Sequence, residues 1–165
     1  FEYFTYYIIT AFGQTATTFT SQNYAAGKRD RCRRVLRLCL GLSTVCSAVP
    51  IFTIVRFREV FSALFTQEAA VIESAAVRIL CILLFEPLCN LYEIPAGVLR
   101  GSGHALYPAV STILGTCAFR IVWICTVFRT QPILPMLYHA FPLSWAVTIL
   151  LVNLGSLAIR RSQRR

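Results

Sequence analysis

Long apolar runs joined by short polar links limit what this chain can fold into more than any single residue does. A helix that crosses a bilayer needs about 20 mostly apolar residues. Five segments qualify, near 3–24, 35–55, 72–98, 106–128 and 134–158. Hydrocarbon offers no water to backbone polar groups, so such runs fold as helices that satisfy themselves. The expected fold class is all-α integral membrane, with about five transmembrane helices. Composition agrees: 56% of the 165 residues are AVILMFWYC and 14% are charged, with a mean hydropathy of +0.63. A soluble domain of this size has nowhere to hide that much apolar surface.

Two of the five runs are irregular. The first contains the polar stretch GQTATTFTSQN, tolerable in a membrane only where that face meets other helices or a cavity. The third contains Pro87 and Pro95, each removing a backbone hydrogen bond, so a bent helix is expected.

The formal charge of +9 does not point to nucleic acid, because the basic residues sit between apolar blocks instead of forming a stripe with interleaved aromatics. No nucleic-acid partner is expected. Their distribution reads as topology. Lys28, Arg29, Arg31, Arg33, Arg34, Arg37, Arg100, Arg160, Arg161, Arg164 and Arg165 fall on one side, eleven of the 16 basic residues, whereas Arg56, Arg58 and Arg129 fall on the other. The positive-inside rule then puts the N-terminus outside and the C-terminus in the cytoplasm. In this reading KRDRCRR is a cytoplasmic loop near anionic headgroups and residues 159–165 form a basic cytoplasmic tail.

The opening FEYFTYYIIT is apolar from its first residue, with no initiating Met and no basic region before a small-residue cleavage site. It is expected to begin inside or just before a transmembrane helix, as part of something longer. Five helices with an external start suit a C-terminal half.

Seven cysteines show neither a disulfide framework nor metal spacing. Cys32, Cys39 and Cys46 share a helix face but span about 20 Å of rise, so the expectation is a packing seam. His104 and His139 have no partner spacing for a metal. Tyr6, Tyr7, Trp123, Tyr138 and Trp145 suit an interfacial aromatic belt. Gly97 and Gly101 form a GxxxG, a signature of close helix contact. No nucleophile elbow, phosphate-cradling loop or zinc pair is present, so no enzyme is expected.

Ionisable groups at membrane depth are costly and default to functional candidates. Four qualify: Arg78, Glu86, Glu93 and Arg120. On a regular helix Glu86, Asn90, Glu93 and Gly97 lie within about a 60° arc, giving one polar stripe. Glu86 lies about 18 Å and Arg120 about 21 Å from the cytoplasmic ends of their helices, a depth at which they could pair, and Glu93 lies nearer that end. A carboxylate there would alternately hold a proton or Na⁺ and a cationic substrate. The rival reading is a permanent Glu86–Arg120 pair with Glu93 facing a watery vestibule. Arg78 is expected to snorkel or to bond between helices.

GQTATTFTSQNYAAGKRDRCRR resembles the helix end and loop that open the second half of multidrug and toxic compound extrusion (MATE) transporters, with their SQN-x-GAG-x-x-x-R pattern. IPAGVLRGSGHALYPAVSTILGTCAFRIVWI resembles the family's LRG-x-G stretch and the helix after it. Carried over residue by residue, the motif positions are Ser21, Gln22, Asn23 and Gly27, then Arg100, Gly101 and Gly103. Residue 25 is Ala where the family usually has Gly.

The resemblance implies a partial C-terminal lobe, residues 1–165 supplying most of one six-helix lobe of a twelve-helix transporter. It also implies a missing N-terminal lobe of the same chain as partner, membrane lipid around both, and no cofactor beyond a coupling H⁺ or Na⁺. The activity implied is plasma-membrane export of small cationic or amphiphilic substrates by alternating access. The candidate coupling and substrate residues are Glu86, Asn90, Glu93 and Arg120. Two alternatives stay open. A lipid-linked oligosaccharide flippase of the same superfamily would want Arg120 more than the glutamates. A non-transporting membrane scaffold would have a fully paired, dry stripe.

Overall fold

A computed structural model describes residues 1–130 and 133–162, the side chains of 160–162 excepted. Every regular element among them is helical: α1 (Glu2–Ala25), α2 (Arg29–Arg56), α3 (Arg58–Ala63), α4 (Ala69–Cys81), α5 (Asn90–Gly101), α6 (Leu106–Thr112), α7 (Phe119–Trp123) and α8 (Leu134–Ser162). A 3₁₀ turn, Leu83–Cys89, joins α4 to α5, and π-helical turns at Ile113–Ala118 and Ile124–Phe128 make α6, α7 and their flanks one rod. Three described helices are long and apolar enough to cross a membrane: Arg29–Arg56, Leu106–Phe128 and Leu134–Ile159.

The other two expected spans differ in instructive ways. α1 has the length, 24 residues, but carries the polar stretch. The 72–98 run is not one bent helix but α4, the 3₁₀ turn and α5. Pro87 lies inside the tight turn, where its missing N–H and its ring disfavour the α-helical bond to residue 83. Pro95 leaves α5 intact. It cannot donate to the carbonyl of Leu91, and that carbonyl accepts instead from Asn153 Nδ2 of α8 at 3.0 Å.

KRDRCRR is not a loop. Arg29 to Arg34 are the first turns of α2, and the link from α1 is only Ala26–Lys28. Gly27, at φ 72°, ends α1: its N–H reaches the Tyr24 carbonyl, and the Lys28 N–H reaches the Asn23 carbonyl at 2.9 Å. This is the Schellman cap, which wants glycine at the left-handed position. Gly103, at φ 86°, ends α5 the same way, with Gly103 donating to Arg100 and His104 to Leu99. The two motif glycines thus perform one job twice. Of the expected tail, residues 159–162 continue α8 and 163–165 lie outside the described residues.

α1 is the hub, packed between α2 and α5, while α8 covers the other side of α5 and the 3₁₀ turn. The α1–α5 contact is set by glycines. A Cβ on Gly97 would collide with the carbonyl oxygen of Gly13, and one on Gly101 with that of Thr17, so the GxxxG is a close-contact face as expected. On the α8 side, Gly155 leaves room for the Tyr107 ring, whose hydroxyl donates to the Leu151 carbonyl at 2.7 Å. Ile9, Cys89, Tyr92, Ala96, Leu99, Trp145 and Val152 form the core between α1, α5 and α8. Trp145 therefore belongs to that core and not to an interfacial belt, whereas Tyr7 is exposed.

The cysteine seam is partly corrected. Cys32 and Cys39 are buried but Cys46 is exposed, and the buried stripe of α2 passes to Ser43 and Ser47. A straight helix drifts about 20° per seven residues against a heptad, enough over two heptads to turn Cys46 outward.

Candidate functional site

The polar residues of α1 and of the 3₁₀–α5 segment meet along parallel helices. Thr5 lies opposite Glu86, Gly13 opposite Glu93 and Gly97, and Thr17 opposite Gly101. The four-residue stripe is not a single face. From Glu86 to Asn90 the backbone is largely 3₁₀, which turns about 120° per residue instead of 100°, so the two side chains point to different neighbours. Glu86 meets α1, Asn90 meets α2, and Glu93 and Gly97 meet α1 again.

Glu86 is sealed, 2% exposed, with the Thr5 hydroxyl donating to its Oε2 at 2.5 Å. Asn90 is fully buried. The Ser43 hydroxyl donates to its Oδ1, and its Nδ2 donates to Ser47 Oγ at 3.3 Å and to the Pro87 carbonyl at 3.2 Å. It is a structural tie between α2 and the 3₁₀ turn.

Glu93 is different. Arg100 Nη2 donates to its Oε1 at 2.7 Å, and the two side chains are 15% and 37% exposed. Seven residues apart on one α-helix, they share a face two turns apart. Both stand on the wall of an open groove of about 610 Å³, completed by Thr10, Gln14, Thr17 and Thr18 of α1. Gly13 makes this possible, since a Cβ there would crowd Glu93 Cγ at 3.0 Å. The groove is hydroxyl- and amide-lined with one acid and one base. It can bind a cation at the carboxylate only by loosening the ion pair, and an anion at the guanidinium likewise.

Depth also departs from expectation. Gly13 is halfway along α1, about 18 Å from its C-terminal end, so Glu93 is the mid-helix carboxylate and Glu86 sits near the opposite end, beside Thr5.

The Glu86–Arg120 pair of the rival reading does not form. Arg120 Nε donates to Ser144 Oγ of α8 at 3.0 Å and its guanidinium stacks 4.1 Å over the Phe141 ring. Glu86 is turned toward Thr5 of α1 and Arg120 toward Ser144 and Phe141 of α8, so the two side chains do not face one another. Among the described residues no carboxylate lies within 4.0 Å of Arg120. Arg78 bonds between helices, its Nε and Nη2 donating to Glu2 at 2.7 and 3.0 Å. Sequence reasoning missed this pair because Glu2 lies 76 positions away.

Of the motif residues, Ser21 and Asn23 bond back to their own helix, at the carbonyls of Thr18 and Phe19, and Gln22 is exposed. Gly27 and Gly103 cap, Gly101 packs, and Arg100 alone joins the site. Gln14, Thr17 and Thr18 of the groove fall in the polar run, but no spacing rule selects them from it, and Thr10 lies outside it.

No curated protein matches the chain. The MatE family model matches residues 1–126, from the start of α1 to the second π-turn, and so covers the groove and every motif position. A bundle of long apolar helices with a polar groove, matched over most of its length, belongs to the MatE family of membrane transporters.

Proposed function

We propose that this chain forms part of one lobe of an antiporter that exports small cationic or amphiphilic compounds in exchange for H⁺ or Na⁺ across the plasma membrane. The observation that carries the reading is the Glu93–Arg100 pair on an open polar groove halfway along α1. A carboxylate at such depth is expensive unless it is used, and its partner is one that an incoming cation can displace. Glu86, Asn90 and Arg120 take supporting parts. Asn90 fixes the 3₁₀ joint about which the segment bends, and Glu86 is a second carboxylate that is exposed only if that joint opens. Rocking of this lobe against a second one, supplied by the rest of a longer protein, would open the groove to each side in turn.

The membrane orientation in this proposal keeps the basic ends cytoplasmic, with Arg29 to Arg37 as helical turns at the headgroups. Surrounding lipid and the second lobe are its partners, and it needs no cofactor beyond the coupling ion.

The test is export by the full-length transporter. Glu93→Gln should abolish coupled export and Arg100→Gln should change its ion dependence. Unchanged export and unchanged pH and Na⁺ dependence in Glu93→Gln would sink the reading.

One observation favours a second reading. Arg120 has a serine and an aromatic ring for partners and, among the described residues, no carboxylate within 4.0 Å, which suits an anionic pyrophosphate headgroup, as in a lipid-linked oligosaccharide flippase. Loss of transport in Arg120→Gln with Glu93→Gln unimpaired would favour it.

A further inference from the structure

The inner stripe of α2 is buried, and its outer stripe has a different plan. Arg31, Arg34, Leu38, Leu42, Val45, Val49 and Phe52 follow one another at steps of three and four, which is one helix face. The apolar part is open along its whole length, with exposures rising from 55% at Leu38 to 72% at Phe52. It runs for about 21 Å, somewhat more than one leaflet of a hydrocarbon core about 30 Å thick. At its head, Arg31, Arg34, Arg37 and Leu38 line a shallow groove of about 550 Å³ together with Asp30. Asp30 is engaged with Arg33, at 3.6 Å. Among the described residues no carboxylate lies within 4.0 Å of Arg31, Arg34 or Arg37. Among the described residues, three cations with no carboxylate within 4.0 Å thus stand at the head of an acyl-length apolar track, beside an Asp30 that Arg33 engages.

We propose that this face is a binding site for one anionic phospholipid, its phosphate seated among Arg31, Arg34 and Arg37 and one acyl chain lying along Leu38, Leu42, Val45 and Val49. The apolar track would accept any lipid; the three unpaired guanidinium groups select a negative headgroup, and their planar forks suit phosphate oxygens. The proposal rests on α2 spanning a membrane and not on what is transported, so loss of export leaves it standing.

The experiment is native mass spectrometry of the full chain, released from nanodiscs of equal phosphatidylglycerol and phosphatidylcholine. One phosphatidylglycerol should be retained in preference to phosphatidylcholine, on the order of 100-fold for three basic contacts. R31Q/R34Q/R37Q should erase the preference, and each single variant should lower it roughly fivefold. These side chains are exposed, so the variants should keep their helical circular dichroism, which is checked alongside. Arg129→Gln, an exposed cation at the end of the Leu106–Phe128 rod and away from this groove, is the control and should change the preference least. Equal loss from Arg129→Gln and Arg34→Gln would mean unspecific charge and overturn the site. So would a preference that survives the triple variant. Inorganic phosphate should not displace the lipid at equal concentration; displacement would reduce the site to a phosphate site without an acyl track and overturn the proposal too.

Discussion

Glu86 and Glu93 lie seven residues apart on one segment and face the same neighbouring helix, yet one is sealed under a threonine and the other stands on an open groove. The backbone makes the difference. Around Glu86 the chain is a 3₁₀ turn wedged between α1, α2, α4 and α8, and its side chain is turned into the packing. Around Glu93 it is regular α-helix pressed so closely on α1, through Gly13 and Gly97, that a long side chain has to leave along the edge of the contact. A polar residue at membrane depth is therefore not one kind of object. Close backbone approach pushes one carboxylate out to a groove, and a tight turn pulls the other in.

The sharpest way to break this contrast is chemical. A water-soluble carbodiimide with an amine nucleophile should label Glu93 and leave Glu86 untouched in the folded protein, read by peptide mass spectrometry. Equal labelling would mean that the 3₁₀ joint opens freely. The next effect is on packing. Gly97→Ala puts a methyl group into the Gly13 carbonyl, backbone against backbone, and should destabilise the fold by about 1–3 kcal/mol, seen as a lower thermal midpoint in detergent. Thr5→Val removes the hydroxyl that serves Glu86 and should cost about 1–3 kcal/mol by leaving a buried acceptor unmet; in a Glu86→Leu background the same change should cost far less. Asn153→Leu takes away the donor to the carbonyl freed by Pro95 and should cost about 0.6 kcal/mol, the average of interhelical bonds in membranes, and no more than about 1.7. Smallest is Gly41→Ala, where a Cβ meets nothing within 4 Å and better helix propensity should add up to about 1 kcal/mol.

Particular elements show what could be read ahead. Gly27 and Gly103 were legible as motif positions, and the reason, a left-handed cap, is local. Gly97 and Gly101 were legible as a contact face. The partner of that face, Gly13 and Thr17 of α1, was not, because the parallel register of α1 and α5 depends on how the intervening helices return the chain. The Glu86–Arg120 pair failed for a similar reason. Depth counted along straight helices is a one-dimensional property, and for Glu86 it is itself shifted, whereas contact also needs the azimuth of both segments, which the 3₁₀ and π-turns alter.

Apolar run length, proline chemistry and short motifs suffice to say that this chain is helical, that it belongs in a membrane, that its third run is irregular, and which family it resembles. That Glu93 and not Glu86 lines the groove, that Arg120 answers to Ser144 and Phe141, and that Arg78 holds Glu2 emerges from the packing alone. Those choices turn on which faces of separate helices meet, and a helix repeats its pattern without saying what lies opposite.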